Sequence, residues 1–413
     1  MHLLPRVLLP FLCRHWELRD ISPAPDRRFG GVEITAFRGG ARAAASISAD
    51  LELAWAWRGF PPEAMQARAV AERENVPRIV ELLERHRIPI TWATVGHLFL
   101  ESCTRGEDGR PHPDMPRPAT NFGWEGDWYR HDPCGDVDRA PGWICPDLIR
   151  LIQQSPIEHE LATHSFSHID FAADRSDAAL VRYEMEACIH AMRPFGVRPR
   201  SLVYCFNHMG HGYLPLLASL GLTSVRHRDP ARKVLAYPER TPAGVYKIYE
   251  SMNTRFGRYY DYVAKAEAFL REAQKHQAAF HLWFHPSDPW RVFDEVFRPI
   301  LGIIAAHRDS GSLWVATMSD LASYCEARAT TELDVATADG STTIMLRTTL
   351  DTARFGTPHI TIAAPAGGAD ARVVVTHQGR STRLLAGAVT LGRRPGTIQF
   401  DVPCCADRIE IAG

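Results

Sequence analysis

Three short stretches of this chain gather side chains able to hold a cation and move a proton. The first is Ser46-Ile-Ser-Ala-Asp50-Leu-Glu52-Leu-Ala-Trp55, whose two carboxylates, two residues apart, fall on the same side of an extended strand. An unpaired buried carboxylate is costly, so acids in a buried strand are tolerated best beside a cation; a strand end meeting water is the plainer alternative. The second is His159-Glu-Leu-Ala-Thr-His164-Ser-Phe-Ser-His168. Imidazoles four apart come onto one face if the chain turns helically after a strand. Histidine is the commonest metal ligand, and two histidines with one carboxylate leave zinc an open position for water. With 19 histidines in the chain, such a pair also arises by chance. The third is Ala279-Phe-His281-Leu-Trp283-Phe-His285-Pro286. In a strand, residues 281, 283 and 285 share a face; His285, last before the proline, is placed to donate a proton, whereas His281 lies deeper and reads as a core histidine.

The elements around these stretches alternate. Short β-rich runs at 46–53, 88–95, 159–163, 201–205, 222–226, 245–249 and 278–284 are separated by amphipathic patterns at 77–86, 146–153, 177–192, 213–220, 262–275 and 292–307. Strand, crossover, strand, repeated in this way, predicts a parallel sheet, either closed as a β/α barrel or open and doubly wound. Each chemical stretch then lies at the C-terminal end of a strand, the edge where barrel sites collect. The connection at about 101–146 is long and rich in proline, and it carries Trp124, Trp128, Tyr129 and Trp143. It reads as a cap insertion whose aromatics bind substrate, the alternative being a plug packed for stability. After Ala329 helical periodicity stops, and short alternating runs predict a small C-terminal all-β sandwich over 330–413. Residues 1–44 read as a lead-in segment with one strand at 32–37.

Taken together, Asp-x-Glu, His-Ser-x-x-His and Leu-x-Phe-His-Pro, in this order on strands one, three and seven, resemble the polysaccharide deacetylase superfamily (carbohydrate esterase family 4, the NodB homology domain). The resemblance spans about 45–329 and implies a distorted seven-stranded (β/α) barrel. It implies Asp50 as catalytic base, His285 as catalytic acid, and Glu52, His164 and His168 as ligands of a divalent metal, by the donor set zinc. It also places Asn207 at the substrate. Two positions depart from the family pattern. Glu52 stands where an aspartate adjacent to the base is usual, and Phe206 stands where an arginine before the asparagine commonly braces the catalytic aspartate. Arg226 and Arg255 are the candidates to replace that brace. The family's Asp/Trp motif that tunes the catalytic histidine has no clear counterpart, Asp229 after strand five being the nearest acid.

The implied activity is metal-dependent removal of the N-acetyl group from an amino sugar in a glycoconjugate or glycosylated metabolite. The alternatives are a catalytically decayed carbohydrate-binding barrel, or a hydrolase of another non-peptide C–N bond, such as a ureide or cyclic imide. Composition agrees with a packed protein acting on a small or neutral partner. Hydrophobic residues make up 45% of the 413 and charged residues 23%, and 47 Lys+Arg against 48 Asp+Glu leave a net charge of −1, with no general pull on nucleic acid. The apolar start of the chain is broken by Pro5, Arg6 and Pro10 and is too short to span a bilayer. Nine cysteines without a CxxC pair read as a reduced, cytoplasmic inventory. The C-terminal module has few aromatics, which favours packing or oligomerisation over sugar binding.

Overall fold

The computed structural model describes residues 18, 20–118, 126–172, 174–229, 233–255, 261–338, 340–366, 371–385 and 387–412. Its centre is a 12-stranded, mainly parallel sheet. The strands that position the site are β1 (Ala43–Leu51), β2 (Thr91–Thr94), β3 (Glu160–Thr163), β4 (Ser201–Val203), β5 (Ser224–His227), β6 (Tyr246–Tyr249) and β7 (Ala279–Phe284). Consecutive strands are parallel neighbours from β1 to β6, and β7 returns to lie parallel beside β1. This is the order of a barrel and not of a doubly wound sheet. Just past β6, Met252–Asn253 pair with Leu282 and Trp283 of β7, which bends the sheet back on itself.

β1 is buried along its whole length, as a parallel strand covered on both faces must be. Its odd-numbered residues, Ala43 to Leu51, join the apolar cluster beneath the helices. Its even-numbered Ser46, Ser48 and Asp50 share the other face, with Ser48 opposite Thr91 and Thr91 opposite Glu160. Period-two alternation thus sorts an apolar outside from a polar inside.

The longer helices are α1 (Pro62–His86), α2 (Pro146–Gln154), α3 (Ala178–Met192), α4 (Tyr262–His276), α5 (Arg298–Asp309) and α6 (Met318–Thr330). The Asp177 and Asp261 side chains cap the N-termini of α3 and α4. α1 corrects the sequence reading. Its start is Pro62, and Pro77, where the sequence pattern at 77–86 begins, sits inside the helix. A helical φ is what proline imposes anyway, and the preceding Ala/Glu/Arg-rich stretch is strongly helix-forming.

Beyond the barrel stand two five-stranded antiparallel sheets. One runs through Thr331–Ala338, Ser341–Thr348, Arg408–Ala412, Arg372–His377 and Arg380–Arg383. The other joins Arg28–Phe29 and Val32–Ile34 to His359–Pro365, Thr397–Pro403 and Val389–Leu391. Residues 28–34, read from sequence as lead-in, therefore supply two strands to a sheet made mostly of the C-terminal region. Among the described residues, no helix is long and apolar enough to cross a membrane.

Candidate active site

Asp50 is the penultimate residue of β1, and Glu52 follows the strand's end; both are buried. Glu52 Oε1 lies 2.9 Å from His164 Nε2 and 3.2 Å from His168 Nε2. Its Oε2, which has no hydrogen-bond partner, faces His285 Nε2 at 3.8 Å. The ligand atoms of Asp50, Glu52 and His164 fall within 4.8 Å of one another. The three stretches singled out in the sequence therefore meet at one place, the C-terminal edge of the sheet.

The tautomer of His164 is fixed by chemistry. Its Nδ1 is 2.7 Å from the Val203 carbonyl, which can only accept, so Nδ1 carries the proton and Nε2 presents a lone pair to Glu52 unless the ring is cationic. A lone pair facing a buried carboxylate is repulsive without a positive charge between them, and a proton or a metal ion resolves it. Burial alone would raise the Glu52 pKa; His285, His164 and His168 outweigh it and hold the carboxyl well below the usual range. Burial alone would lower the His164 and His168 pKa values, and the thiol of Cys205 and the Glu52 carboxylate raise both. Two imidazoles and an ionised carboxylate converging on one point fit a divalent cation in place of the ring protons, and the buried, unpartnered Glu52 Oε2 leaves a donor for such an ion.

Asp50 is held differently. Arg226, on β5, donates Nη1 to Asp50 Oδ1 at 2.6 Å and Nη2 to Oδ2 at 2.7 Å, a two-pronged ion pair with both partners buried. Nη2 also donates to Asn207 Oδ1 at 3.1 Å, so Asn207 stands against the guanidinium. Of the two arginines considered in the sequence, Arg226 is the one in contact with Asp50, while Arg255 donates to the Tyr262 hydroxyl. Phe206 is exposed and lies edge-on to His168, ring centres 4.6 Å apart.

The loop between His164 and His168 is tightly fastened. Glu184 of α3 accepts from the Ser167 backbone N–H at 2.8 Å and from its hydroxyl at 2.6 Å, and Arg58 Nη2 donates to the Ser167 carbonyl at 2.7 Å. Ser165, His168, Phe206 and Asn207 all have φ between +55° and +59°. Such strained conformations in non-glycine residues gather at sites whose side chains must be aimed.

The aromatic residues of the long insertion are placed otherwise than expected. Trp128, Tyr129 and Trp143 are buried. Trp128 Nε1 donates to the Ser167 hydroxyl, Tyr129 packs against His112 and Trp55, and Trp143 meets Trp55 edge-on. As placed, they support the histidine loop from within and do not line an open surface. Trp124 lies outside the described residues. Around His285 stand Trp57 and Trp283, with ring centres 6.1 and 5.3 Å away. Asp288 interacts electrostatically with His285, its pKa raised by burial and drawn back by His285 and Arg68. Sequence reasoning missed Asp288, Glu184 and Cys205. Cys205, beside both metal-type histidines, would be pushed up by burial, but His164 and His168 bring its thiol down to about 7. Glu184 reaches the site only through tertiary packing, whereas Asp288, whose N–H donates to the His285 carbonyl, and Cys205, two residues before Asn207, stand beside residues that sequence reasoning had singled out.

Residues 67–225 match the polysaccharide deacetylase family. The match takes in His164, His168 and Asn207 and does not extend to Asp50, Glu52 or His285. Among solved structures, a putative polysaccharide deacetylase from Mycobacterium smegmatis is similar over 75% of this chain and 96% of its own, at 17% identity and a TM-score of 0.51. A family 4 carbohydrate esterase from Streptomyces lividans in complex with acetate aligns over 67% of this chain and 93% of its own, at 11% identity and a TM-score of 0.34. No curated protein sequence matches the chain.

Proposed function

From the premise that this chain carries a domain of the polysaccharide deacetylase superfamily, we propose that it is a metal-dependent hydrolase of the N-acetyl group of an amino sugar in a glycoconjugate or glycosylated metabolite. The domain itself supports carbohydrate deacetylase activity; the metal, the bond and the residue roles are this reading's own. The observation that carries it is the contact of one Glu52 oxygen with two imidazole nitrogens, with His285 facing the other oxygen.

Glu52, His164 and His168 would hold a divalent cation, by donor type zinc, and the cation supplies Lewis acidity to water and to the acyl oxygen. Asp50 takes a proton from the attacking water as general base. Its two-pronged contact with Arg226 fixes the carboxylate plane, and a carboxylate keeps lone pairs for the proton beyond those two bonds. His285 donates a proton to the departing nitrogen, which an amide requires because an unprotonated amine anion is a very poor leaving group. The carbon–nitrogen bond breaks, and acetate and a free amino sugar result. We read the parallel strands as the family's distorted seven-stranded barrel over 45–329, closed through Met252–Asn253, and 330–413 as a C-terminal β-sandwich packed against it. The eight described cysteines are free thiols, which supports a reducing, cytoplasmic setting.

Acetate release from a panel of N-acetylated sugar conjugates, with and without chelator, tests the reading. Activity should vanish with chelator and return with zinc. Asp50→Asn and His285→Ala should keep the metal and lose about 10²–10⁴-fold in turnover. Wild-type turnover in His285→Ala would remove the proton donor from the scheme.

A further inference from the structure

We propose that the insertion after β2 contains a second metal site, in which His97, Cys103, His112 and Asp132 bind one zinc ion that clamps the insertion to the loop carrying His164 and His168. The proposal stands apart from the catalytic reading, because none of its ligands belongs to that site.

The donor atoms of these four residues lie within 4.8 Å of one another. His97 Nε2 is 2.9 Å from His112 Nε2 and 3.2 Å from Asp132 Oδ2, and His112 Nε2 is 2.8 Å from the same oxygen. Cys103 Sγ lies 3.6 and 3.9 Å from the two Asp132 oxygens. His97, Cys103 and Asp132 are buried, and the His112 side chain is 10% exposed.

With both imidazole rings neutral, hydrogen bonding leaves one close contact of this cluster without a proton. His97 Nδ1 faces the Trp143 carbonyl at 3.0 Å and must donate to it, so in the neutral ring Nε2 is a lone pair. That lone pair points at a carboxylate oxygen and at a second imidazole nitrogen. One proton on His112 Nε2 cannot serve both the His97 lone pair and the Asp132 carboxylate. A divalent cation in the middle turns every one of these contacts into an attraction. Tetrahedral zinc, with bonds of about 2.0–2.3 Å, sets neighbouring ligand atoms roughly 3.3–3.8 Å apart, so the close contacts here need only slight outward movement. Imidazole, thiolate and carboxylate together are zinc ligands, and four protein donors leave no open position, which is the pattern of a structural ion.

The location explains what such an ion would do. Among its described residues the insertion has little regular structure, beyond the short pairing of Ser102–Cys103 with Gly135–Asp136 and a single bridge between Arg105 and Pro111. An irregular segment of this kind gains order from a metal crosslink. The cluster also abuts the catalytic loop. Gly96 N–H donates to the Ser165 carbonyl at 2.7 Å, His97 N–H to the Phe166 carbonyl at 3.0 Å, and both imidazole rings pack edge-on to Phe166.

Zinc content of the purified full-length protein gives the test. Wild type should hold two equivalents per chain. His164→Ala/His168→Ala should keep one, and Cys103→Ser/His112→Gln should lose one. A wild type with a single equivalent that Cys103→Ser/His112→Gln removes would support this site and count against the catalytic metal. No zinc in His164→Ala/His168→Ala, or undiminished zinc in Cys103→Ser/His112→Gln, overturns the proposal. A second readout needs only a single conservative change. Protein produced with cobalt should show a thiolate-to-cobalt charge-transfer band in the near ultraviolet that Cys103→Ser abolishes and Cys205→Ser leaves. A band missing from wild type, or unchanged in Cys103→Ser, likewise overturns it.

Discussion

Asp50 is aimed by a chain of buried polar contacts that runs across three strands. Arg226 donates to Asp50 and also, at 3.1 Å, to the Ser48 hydroxyl oxygen. Ser48 in turn meets His281 Nε2 at 3.0 Å, and His281 Nδ1 meets Ser46 at 2.8 Å. An ammonium in place of the guanidinium cannot reproduce the two-pronged grip. Arg226→Lys should therefore lower kcat by about 10²-fold while zinc content stays at the wild-type level, a comparison that steady-state acetate release and metal analysis make directly. Retained kcat would remove Arg226 from the positioning of the base. His281 bears on pH. Burial, and then the charge of Arg226, hold its pKa well below the ordinary value, so the native ring stays neutral. The unfolded chain takes up a proton below about pH 6.5 that the native state refuses. Stability is thus intact above that pH and falls by up to about 1.4 kcal/mol per unit as pH drops toward the folded value. His227, lowered to about 4 by burial and Lys247, acts in the same direction. His281→Gln should shrink the difference in urea midpoint between pH 7.5 and pH 5, and an unchanged difference would assign the acid limb to other groups. Asp50, Glu52, His164, His168 and His285 were singled out in the sequence by type and local spacing, and the structure brings them together. Arg226 was one of two candidates there, and only the register of β5 against β4 chooses it over Arg255.

At the level of elements, the histidine loop depends on a helix and an insertion that do not touch the proposed metal. Ser167 sits at the loop's centre. Its hydroxyl donates to Glu184 of α3 and accepts from Trp128 of the insertion, and Tyr129 donates to the same glutamate at 3.3 Å. Glu184 is fully buried, and its carboxylate accepts both the backbone and the hydroxyl protons of Ser167. Glutamine keeps one acceptor and turns an N–H₂ toward the other donor. Glu184→Gln should weaken zinc binding by roughly 10–100-fold, as loss of an outer support does, with kcat close to wild type at saturating metal. Competition with a chromophoric chelator measures this, and equal affinity in the two proteins would reduce Glu184 to a packing residue. The elements themselves followed from periodicity over most of the barrel, since strands and helices of ordinary length announce themselves by their apolar spacing. One misreading has a clear physical cause. Pro77 looks like a helix start because proline is favoured in a first turn, but the helix-forming stretch before it carries the helix through, at the cost of one backbone hydrogen bond. Composition carries no information on which way a loop's aromatics face, and the structure turns Trp128, Tyr129 and Trp143 inward.

Across the whole molecule, the C-terminal sheets and the barrel share structure that sequence texture assigned to separate modules. Val32–Ile34, which precedes β1, pairs with His359–Pro365. Arg328, buried near the end of α6, donates from Nε to the Ile34 and Thr35 carbonyls and from Nη2 to the Pro25 carbonyl. Tyr324 of the same helix donates to the Thr35 carbonyl at 3.0 Å. One apolar cluster runs from Ala44, Ala93, Val203 and Ile248 in the barrel, through Met318, Leu321 and Cys325 of α6, to Ile344, Ile362, Phe400 and Ile409 of the two sheets. A chain ended at Ala329 would strip the cover from Val32, Ile34, Phe37, Met318 and Leu321, all of which are buried in the intact protein. Each large apolar side chain returned to water costs about 1.5–3 kcal/mol, and five together are comparable with the whole net stability of an ordinary domain, roughly 5–15 kcal/mol. The exposed residues would also be contiguous, which favours aggregation. Residues 1–329 expressed alone should therefore be insoluble or inactive, and the intact protein should unfold in one calorimetric transition to which barrel and sheets both contribute. A soluble 1–329 fragment with the full-length midpoint and full acetate release would show instead that the barrel tolerates exposure of this face and that the shared cluster adds nothing it needs.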